Sequence, residues 1–266
     1  MGPVIGTASV EAYPANVLEV TLTDDALQGS LAAPRSLVIA AAIWKNQSGG
    51  AGIAHFTYGD SATDRAPTPE YGTNVNGPVT YALSPFGITG VVEGGVTKRG
   101  GLHSVDFLDL KASLFAGDVV RLEWPSPGYW GSLDYLSANI HVWDGPRLGT
   151  LSLGVFGGGN GIAYTPTPPA HFAGFVLGGL STQNVDDTIT MVGADVIDAG
   201  EAGALVKPGV FRGAYCYADM GAVTSGAELV FQGAGPPGVG GTQLVAYGAR
   251  AQTTPVPYLR AMAWGS

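Results

Sequence analysis

Short apolar runs, bounded by Gly, Pro, Asn and Asp, recur along the whole chain. Runs of this kind are typical of β-strands separated by turns. Stretches with apolar residues at helical spacing are scarce, and the frequent Gly and Pro would interrupt most helices. The pattern therefore predicts an all-β protein, with strands at Val17–Thr23, Ser36–Trp44, Val79–Leu83, Ile88–Val92, Leu102–Leu110, Val119–Trp124, Ala138–Trp143, Leu148–Val155, His171–Leu180, Thr188–Val192, Val210–Tyr217, Glu228–Gln232, Gln243–Ala249 and Leu259–Trp264.

Two of these runs differ from the rest because they are almost continuously apolar. They are Ser36–Trp44 and His171–Leu180. A strand that faces water on one side alternates between apolar and polar residues, whereas a strand covered on both sides does not. We therefore expect both runs to be central strands buried on both faces, or strands in a tight interface between two sheets.

A weak internal repeat divides the chain into two parts. Three segments of the first part align with three segments of the second, namely 116–123 with 225–232, 138–143 with 242–247, and Ser36–Trp44 with the run at His171–Leu180. The loop between the first two segments is five residues longer in the first copy. The repeat predicts two related modules, each made of strands, a turn, a strand, a Pro-rich loop and a closing strand.

We place the two modules at residues 1–146 and 147–266. Asp144-Gly145-Pro146 is a turn signal and marks the join. Short strands at this spacing, with turn residues between them, predict two tandem antiparallel β-sandwich modules, either jelly-roll-like or immunoglobulin-like. Strand order is not written in the hydrophobic pattern, so the two topologies stay open here.

The composition indicates a surface that is poor in charge. Only 12% of the 266 residues are charged, whereas an ordinary soluble domain has about 25%. A folded monomer of 27.1 kDa would expose roughly 10,800 Å², which leaves about one charge per 330 Å². Mean hydropathy is positive, at +0.21. We therefore expect much of the exterior to be covered by other subunits.

The net charge excludes several classes of partner. It is −9, and the chain has no run of Lys or Arg, so we expect no nucleic-acid partner and no binding to anionic lipid. The longest wholly apolar run, Leu37–Trp44, is too short to cross a bilayer. The residues that follow Met1 do not form a signal-peptide pattern, so we expect synthesis in a cytoplasm without membrane insertion.

Aromatic residues cluster in one region. Trp124, Tyr129, Trp130, Tyr135 and Trp143 fall within twenty residues, on and beside the predicted long loop 125–137. Loop aromatics can anchor a protein interface or stack on sugar rings. A third possibility is that some of them belong to the core. Tyr129 and Trp130 follow Pro-Gly at the loop tip, and we expect these two to be the most exposed.

Residues with catalytic or metal-binding chemistry are few and scattered. The four histidines, His55, His103, His141 and His171, lack the spacing of a zinc pair, although His103 and His141 fall in predicted strands. Cys216 is the only cysteine and alternates with tyrosines, which predicts a buried, inert thiol. We find no nucleophile elbow. The sequence therefore predicts a non-enzymatic protein without catalytic residues, metal or cofactor.

The segment from Phe115 to Leu122 and its second copy from Ser225 to Phe231 carry a resemblance. Their strand-turn-strand pattern resembles that of accessory virion proteins of tailed bacteriophages, such as capsid decoration proteins, head spikes and tail or fibre modules. The resemblance implies an oligomeric virion subunit whose partners are copies of itself and other virion proteins. The alternative is a carbohydrate-binding or host-receptor-binding module of a tail fibre, which would contact a host surface glycan.

Overall fold

The computed structural model describes residues 2–23, 35–46, 57–60, 88–109, 115–124, 132–144, 148–152, 156–158, 161–164, 173–183, 185–186, 188–193, 196–222, 229–233, 241–243 and 246–249. These residues form 18 strands and no helix. Every strand pairing among them is antiparallel. The prediction of an all-β protein is confirmed for this part of the chain.

The first half of the chain contributes eight strands to two sheets. Five of them form one sheet in the order β1-β8-β3-β6-β5, and the other three form a second sheet in the order β2-β7-β4. The strands are β1 (Val4–Val10), β2 (Val17–Thr21), β3 (Arg35–Asn46), β4 (Thr57–Asp60), β5 (Ile88–Glu93), β6 (Val96–Asp109), β7 (Val119–Glu123) and β8 (Leu133–Asp144).

The second half contributes ten strands. Five form a sheet in the order β14-β15-β12-β18-β9, three form a sheet in the order β11-β16-β13, and two, β10 and β17, pair separately. The strands are β9 (Leu148–Ser152), β10 (Phe156–Gly158), β11 (Gly161–Tyr164), β12 (Ala173–Thr182), β13 (Ile189–Gly193), β14 (Val196–Lys207), β15 (Phe211–Ala222), β16 (Leu229–Gly233), β17 (Gly241–Gln243) and β18 (Ala246–Ala249).

Sheets do not mix strands from the two halves in the described part of the chain. Strand β8 ends at Asp144 and β9 begins at Leu148, so the predicted join falls between them. Gly145 and Pro146 themselves lie outside the described residues.

Strand β3 lies in the middle of the first five-stranded sheet and is buried on both faces. Its odd-numbered residues Leu37, Ile39, Ala41 and Ile43 pack in a cluster with β2, β7 and β8, which is the core between the two sheets of the first half. Its even-numbered residues Val38, Ala40, Ala42 and Trp44 belong to a second cluster that includes Leu205, Phe211 and Tyr215 of the second half. The prediction for the run at Ser36–Trp44 is therefore confirmed.

Strand β8 begins earlier than the sequence pattern predicts. We expected a loop through residue 137, but the strand starts at Leu133. The backbone N–H of Leu133 donates to Oδ1 of Asn16 at 2.9 Å, and its carbonyl oxygen accepts from the N–H of Ala15 at 2.7 Å. These partners are distant in sequence, so no local pattern could indicate them. As a result Tyr135 lies in a strand and not in a loop.

Each of the two clusters on β3 predicts that truncating one of its side chains will destabilise the protein. Ile43→Ala should lower the free energy of unfolding by about 2–5 kcal/mol, and Trp44→Ala by about 3–5 kcal/mol, because each leaves a cavity in a filled core. Urea denaturation followed by circular dichroism measures both. The matched control is Val92→Ala, whose side chain is 67% exposed and which should change stability by about 0.5 kcal/mol or less. A Trp44→Ala variant as stable as this control would contradict the buried position.

Candidate functional site

The structure separates the five aromatic residues that the sequence groups together. Trp124 is 3% exposed and belongs to the core of the first half, where its ring lies edge-on to His103 at 5.1 Å between centroids. Tyr135 is 4% exposed and lies in the cluster shared by the two halves. Neither side chain has an open face to offer to a sugar or to another subunit.

The other three aromatic candidates are less completely placed. Trp143 lies in β8, where its backbone is opposite Ser36 of β3, but its side chain falls outside the described part. Tyr129 and Trp130, at the predicted loop tip, also lie outside the described residues. Their proposed roles as interface anchors or as a sugar platform remain predictions.

The two histidines in predicted strands lie on opposite faces of one sheet. His103 of β6 contacts Trp124 in the core of the first half, whereas His141 of β8 contacts Tyr215 of the second half. A shared metal ion between these two side chains is therefore ruled out by geometry. Within the described ranges, no group of three or more His, Cys, Asp and Glu side chains is placed to hold a metal ion.

The most elaborate arrangement of side chains joins the two halves. The β14–β15 hairpin of the second half packs on the first five-stranded sheet, and Phe211 contacts the rings of both Trp44 and Tyr135, at 5.7 and 6.1 Å between centroids. The Tyr135 hydroxyl donates to the carbonyl oxygen of Val206 at 2.8 Å. Tyr135 is thus an interface residue within the chain.

Close backbone approach brings the two halves together at β6 and β15. A Cβ atom on Gly213 would lie 3.0 Å from both the backbone nitrogen and the Cβ of Leu102, so only glycine fits there without displacement. The N–H of Leu102 donates to Oγ of Ser181, at the end of β12, at 2.8 Å. Because this hydrogen bond crosses between the halves, it depends directly on their packing.

A chain of hydrogen-bonded polar groups crosses the same join. Thr7 donates to Oδ1 of Asn139 at 2.8 Å, and the Asn139 amide donates to the Ala204 carbonyl at 3.0 Å and to the Tyr215 hydroxyl at 3.1 Å. The Tyr215 oxygen lies 2.6 Å from Nε2 of His141. These groups are hereafter called the polar join.

The hydrogen bonds fix the proton positions along the polar join. Nδ1 of His141 lies 3.0 Å from the carbonyl oxygen of Gly2, which can only accept, so Nδ1 carries the proton in the neutral ring. Nε2 must then accept, and the Tyr215 hydroxyl donates to it. The Tyr215 oxygen in turn accepts from Asn139. Each of these donors therefore has an acceptor, and His141 is held as one tautomer.

Burial shifts the titration of both ring partners in the polar join. Desolvation lowers the pKa of His141, as does the positive charge of the chain's amino terminus, while hydrogen bonds to the backbone at Gly2 and Pro3 oppose this. Burial raises the pKa of Tyr215, and the Glu201 carboxylate adds to the increase. Both groups are therefore held neutral near pH 7.

A cluster of charged side chains lies at the turn of the β14–β15 hairpin. Nζ of Lys207, whose side chain is 5% exposed, is paired with Glu11 and lies 3.7 Å from Glu93 of the first half. It also lies 5.5 Å from the centroid of the Tyr135 ring. The indole N–H of Trp44 donates to the other oxygen of Glu93 at 2.9 Å. Charge and packing therefore hold the same hairpin in place.

The single cysteine is in an environment that disfavours its reactive thiolate form. Cys216 is buried, and burial together with the Glu201 carboxylate raises the pKa of its thiol to about 12. Because the thiolate is the reactive form, this thiol is a poor nucleophile at neutral pH. The prediction that Cys216 is buried is confirmed, and the raised pKa agrees with an unreactive thiol.

Sequence reasoning missed the polar join, although a signal for it exists. Residues 136, 138, 140 and 142 of β8 are apolar and pack in the core of the first half, whereas Tyr135, Ser137, Asn139 and His141 alternate with them. Such alternation normally indicates a strand with one face in water. Here the polar face is buried as well, because the second half covers it.

No protein-family model, curated protein or solved structure matches the chain. The described residues contain no helix that is long and apolar enough to cross a membrane. The arrangement described above is therefore interpreted from its own geometry, as a join that holds two β-sheet units together.

The Tyr135 hydroxyl offers a test of this interpretation. Tyr135→Phe should lower the free energy of unfolding by about 1 kcal/mol, because it removes the hydrogen bond from the Tyr135 hydroxyl to the Val206 carbonyl. The control is Tyr13→Phe, since Tyr13 is 69% exposed. Urea denaturation of both variants at neutral pH measures the difference. Equal stability of the Tyr135→Phe variant and the wild type would contradict a role of this hydroxyl in the join.

Proposed function

We propose that the chain is a duplicated jelly roll that serves as a non-enzymatic structural subunit of a virus particle. In an eight-stranded jelly roll, the first, eighth, third and sixth strands form one sheet, and the second, seventh and fourth lie together in the other. Strands β1 to β8 follow this order. The fifth strand departs from it, because β5 pairs with β6 and extends the first sheet.

The second half supports the duplication because it repeats both the order and the departure. If β10 and β17 are set aside, its eight remaining strands correspond one by one to β1 to β8 in both sheets. β14, the equivalent of β5, likewise pairs with β15 and extends the larger sheet. This shared strand order is the observation that carries the proposal.

The sequence repeat supports the same correspondence independently. Aligning residues 116–123 with 225–232 sets β7 against β16, and aligning the two apolar runs sets β3 against β12. Sheet order gives the same two pairs of equivalent strands. Residue similarity and topology therefore point to one ancestral unit that was copied.

A structural role follows from the kind of fold and from its surface. Jelly rolls are common in viral capsid proteins, where they act by packing against neighbours. Only 12% of the residues are charged, which suits a subunit that is covered by copies of itself and by other virion proteins. We assign it to a tailed-phage virion, as a capsid decoration protein, a head spike or a tail-associated subunit.

Self-association is the first consequence to test. Size-exclusion chromatography with light scattering should give a mass that is a multiple of 27.1 kDa. Loading concentrations from about 1 μM to about 1 mM cover association free energies of about 8 to 4 kcal/mol. A monomer throughout this range would overturn a role that depends on packing between copies.

The loop aromatics provide a variant for the same measurement. Trp130→Ala should reduce the oligomeric mass while circular dichroism stays unchanged, because we expect Trp130 to act as an anchor between copies and not as part of the core. Trp130→Phe is the matched control and should keep most of the association. If Trp130→Ala assembles normally but loses binding to a glycan array, the receptor-binding alternative would replace the structural one.

A further inference from the structure

The polar join has a property that neither core on β3 shares, since its hydrogen bonds depend on one protonation state. His141 accepts from Tyr215 through Nε2 and donates to the Gly2 carbonyl through Nδ1. A protonated imidazole is a donor at both nitrogens. Nε2–H would then face the Tyr215 hydroxyl, whose own proton would lose its acceptor.

The surroundings leave the displaced hydroxyl proton little choice of partner. The Tyr215 oxygen already accepts from Asn139, whose other amide proton is bound to the Ala204 carbonyl. Cβ on Gly203 would lie only 2.3 Å from the same oxygen, so the hydroxyl is tightly enclosed. A second donor at this point therefore favours separation of β8 from β15.

We propose that Asn139, His141 and Tyr215 form an acid-sensitive latch between the two halves of the chain. Protonation of His141 turns Nε2 from an acceptor into a donor, breaks the hydrogen bond from Tyr215, and releases the β14–β15 hairpin from the first sheet. The latch goes beyond the structural role proposed above and does not depend on it, because it concerns packing within one chain.

The groups around the latch act on its two titratable side chains in different directions. On the first half, the positive amino terminus disfavours the charged form of His141, and the Gly2 and Pro3 backbone favours it. On the second half, Glu201 of β14 acts on Tyr215, and this carboxylate is itself paired with Arg212 of β15. Val38, opposite His141 on β3, carries no charge.

The sign of the pH effect follows from burial. Because the pKa of His141 is lower in the closed state than the ordinary value of 6.5, the closed state binds fewer protons than the open state. The stabilisation from this group is complete above pH 6.5 and is lost as the pH falls toward the pKa of the closed state. At pH 5.5 an open histidine with an ordinary pKa favours opening by at most about tenfold, the limit reached when the closed-state histidine stays neutral.

Hydrogen exchange at two amides measures this opening. The Leu102 N–H, bound to Ser181 across the join, reports on separation of the halves, whereas the Leu22 N–H, bound to the Asp118 carbonyl within the first half, reports on unfolding of that half. Between pH 7.5 and 5.5, after correction for intrinsic exchange, the opening constant at Leu102 should rise severalfold, with about tenfold as the upper bound. Leu102 should also exchange faster than Leu22.

Two variants separate the latch from other titrating groups. His141→Gln keeps a neutral side chain that can accept a hydrogen bond from Tyr215. This variant should therefore remove the rise in the opening constant at Leu102. His103→Gln alters the buried histidine on the opposite face and should leave the rise intact.

The outcomes decide the proposal in either direction. A rise in the opening constant at Leu102 that is lost in His141→Gln and kept in His103→Gln supports the latch. An equal rise in both variants, or no rise in the wild type, overturns it. If His141→Gln does not fold, titration of the His141 ring by NMR in the wild type replaces it, and a midpoint at or above 6.5 in the folded protein overturns the latch.

Discussion

Burial of β3 on both faces is the constraint on which the rest of the structure depends. Its odd-numbered side chains fill the core of the first half, and its even-numbered ones fill the cluster shared with Phe211 and Tyr215. A strand covered on two sides cannot change register without moving polar or oversized groups into both cores. One element therefore takes part both in the core between the two sheets of the first half and in the contact with the second half.

The sequence predicts this element well and predicts the join poorly, for a physical reason. A continuous apolar run such as Ser36–Trp44 by itself indicates a strand that is covered on both faces. The odd-numbered face of β8, with Asn139 and His141, resembles a face in water because its polar groups are satisfied by residues more than sixty positions away. A local sequence pattern indicates which residues are apolar. It does not indicate which distant residues will form the hydrogen bonds of a buried polar side chain.

The sheet edges suggest how such a weakly charged protein limits uncontrolled pairing. β5 ends the first five-stranded sheet and has a bulge between Thr89 and Val91, with Gly90 at a φ of 78°. β14 ends the second sheet and has two bulges, beside Asp198 and Glu201. Bulges and charges at an edge disfavour the addition of another strand. Association between copies is therefore expected through faces and loops.

The polar join explains why the two halves pack in one arrangement. Apolar faces attract each other without preferring a single alignment, so Trp44, Phe211 and their neighbours would tolerate sliding. Asn139, Tyr215 and His141 have one set of donors and acceptors, and any shift would leave these buried groups unpaired. Its net contribution to stability is small compared with the apolar contacts, yet it is what selects one alignment among them. Because that selection rests on a neutral imidazole, the same feature that makes the packing specific also makes it sensitive to acid.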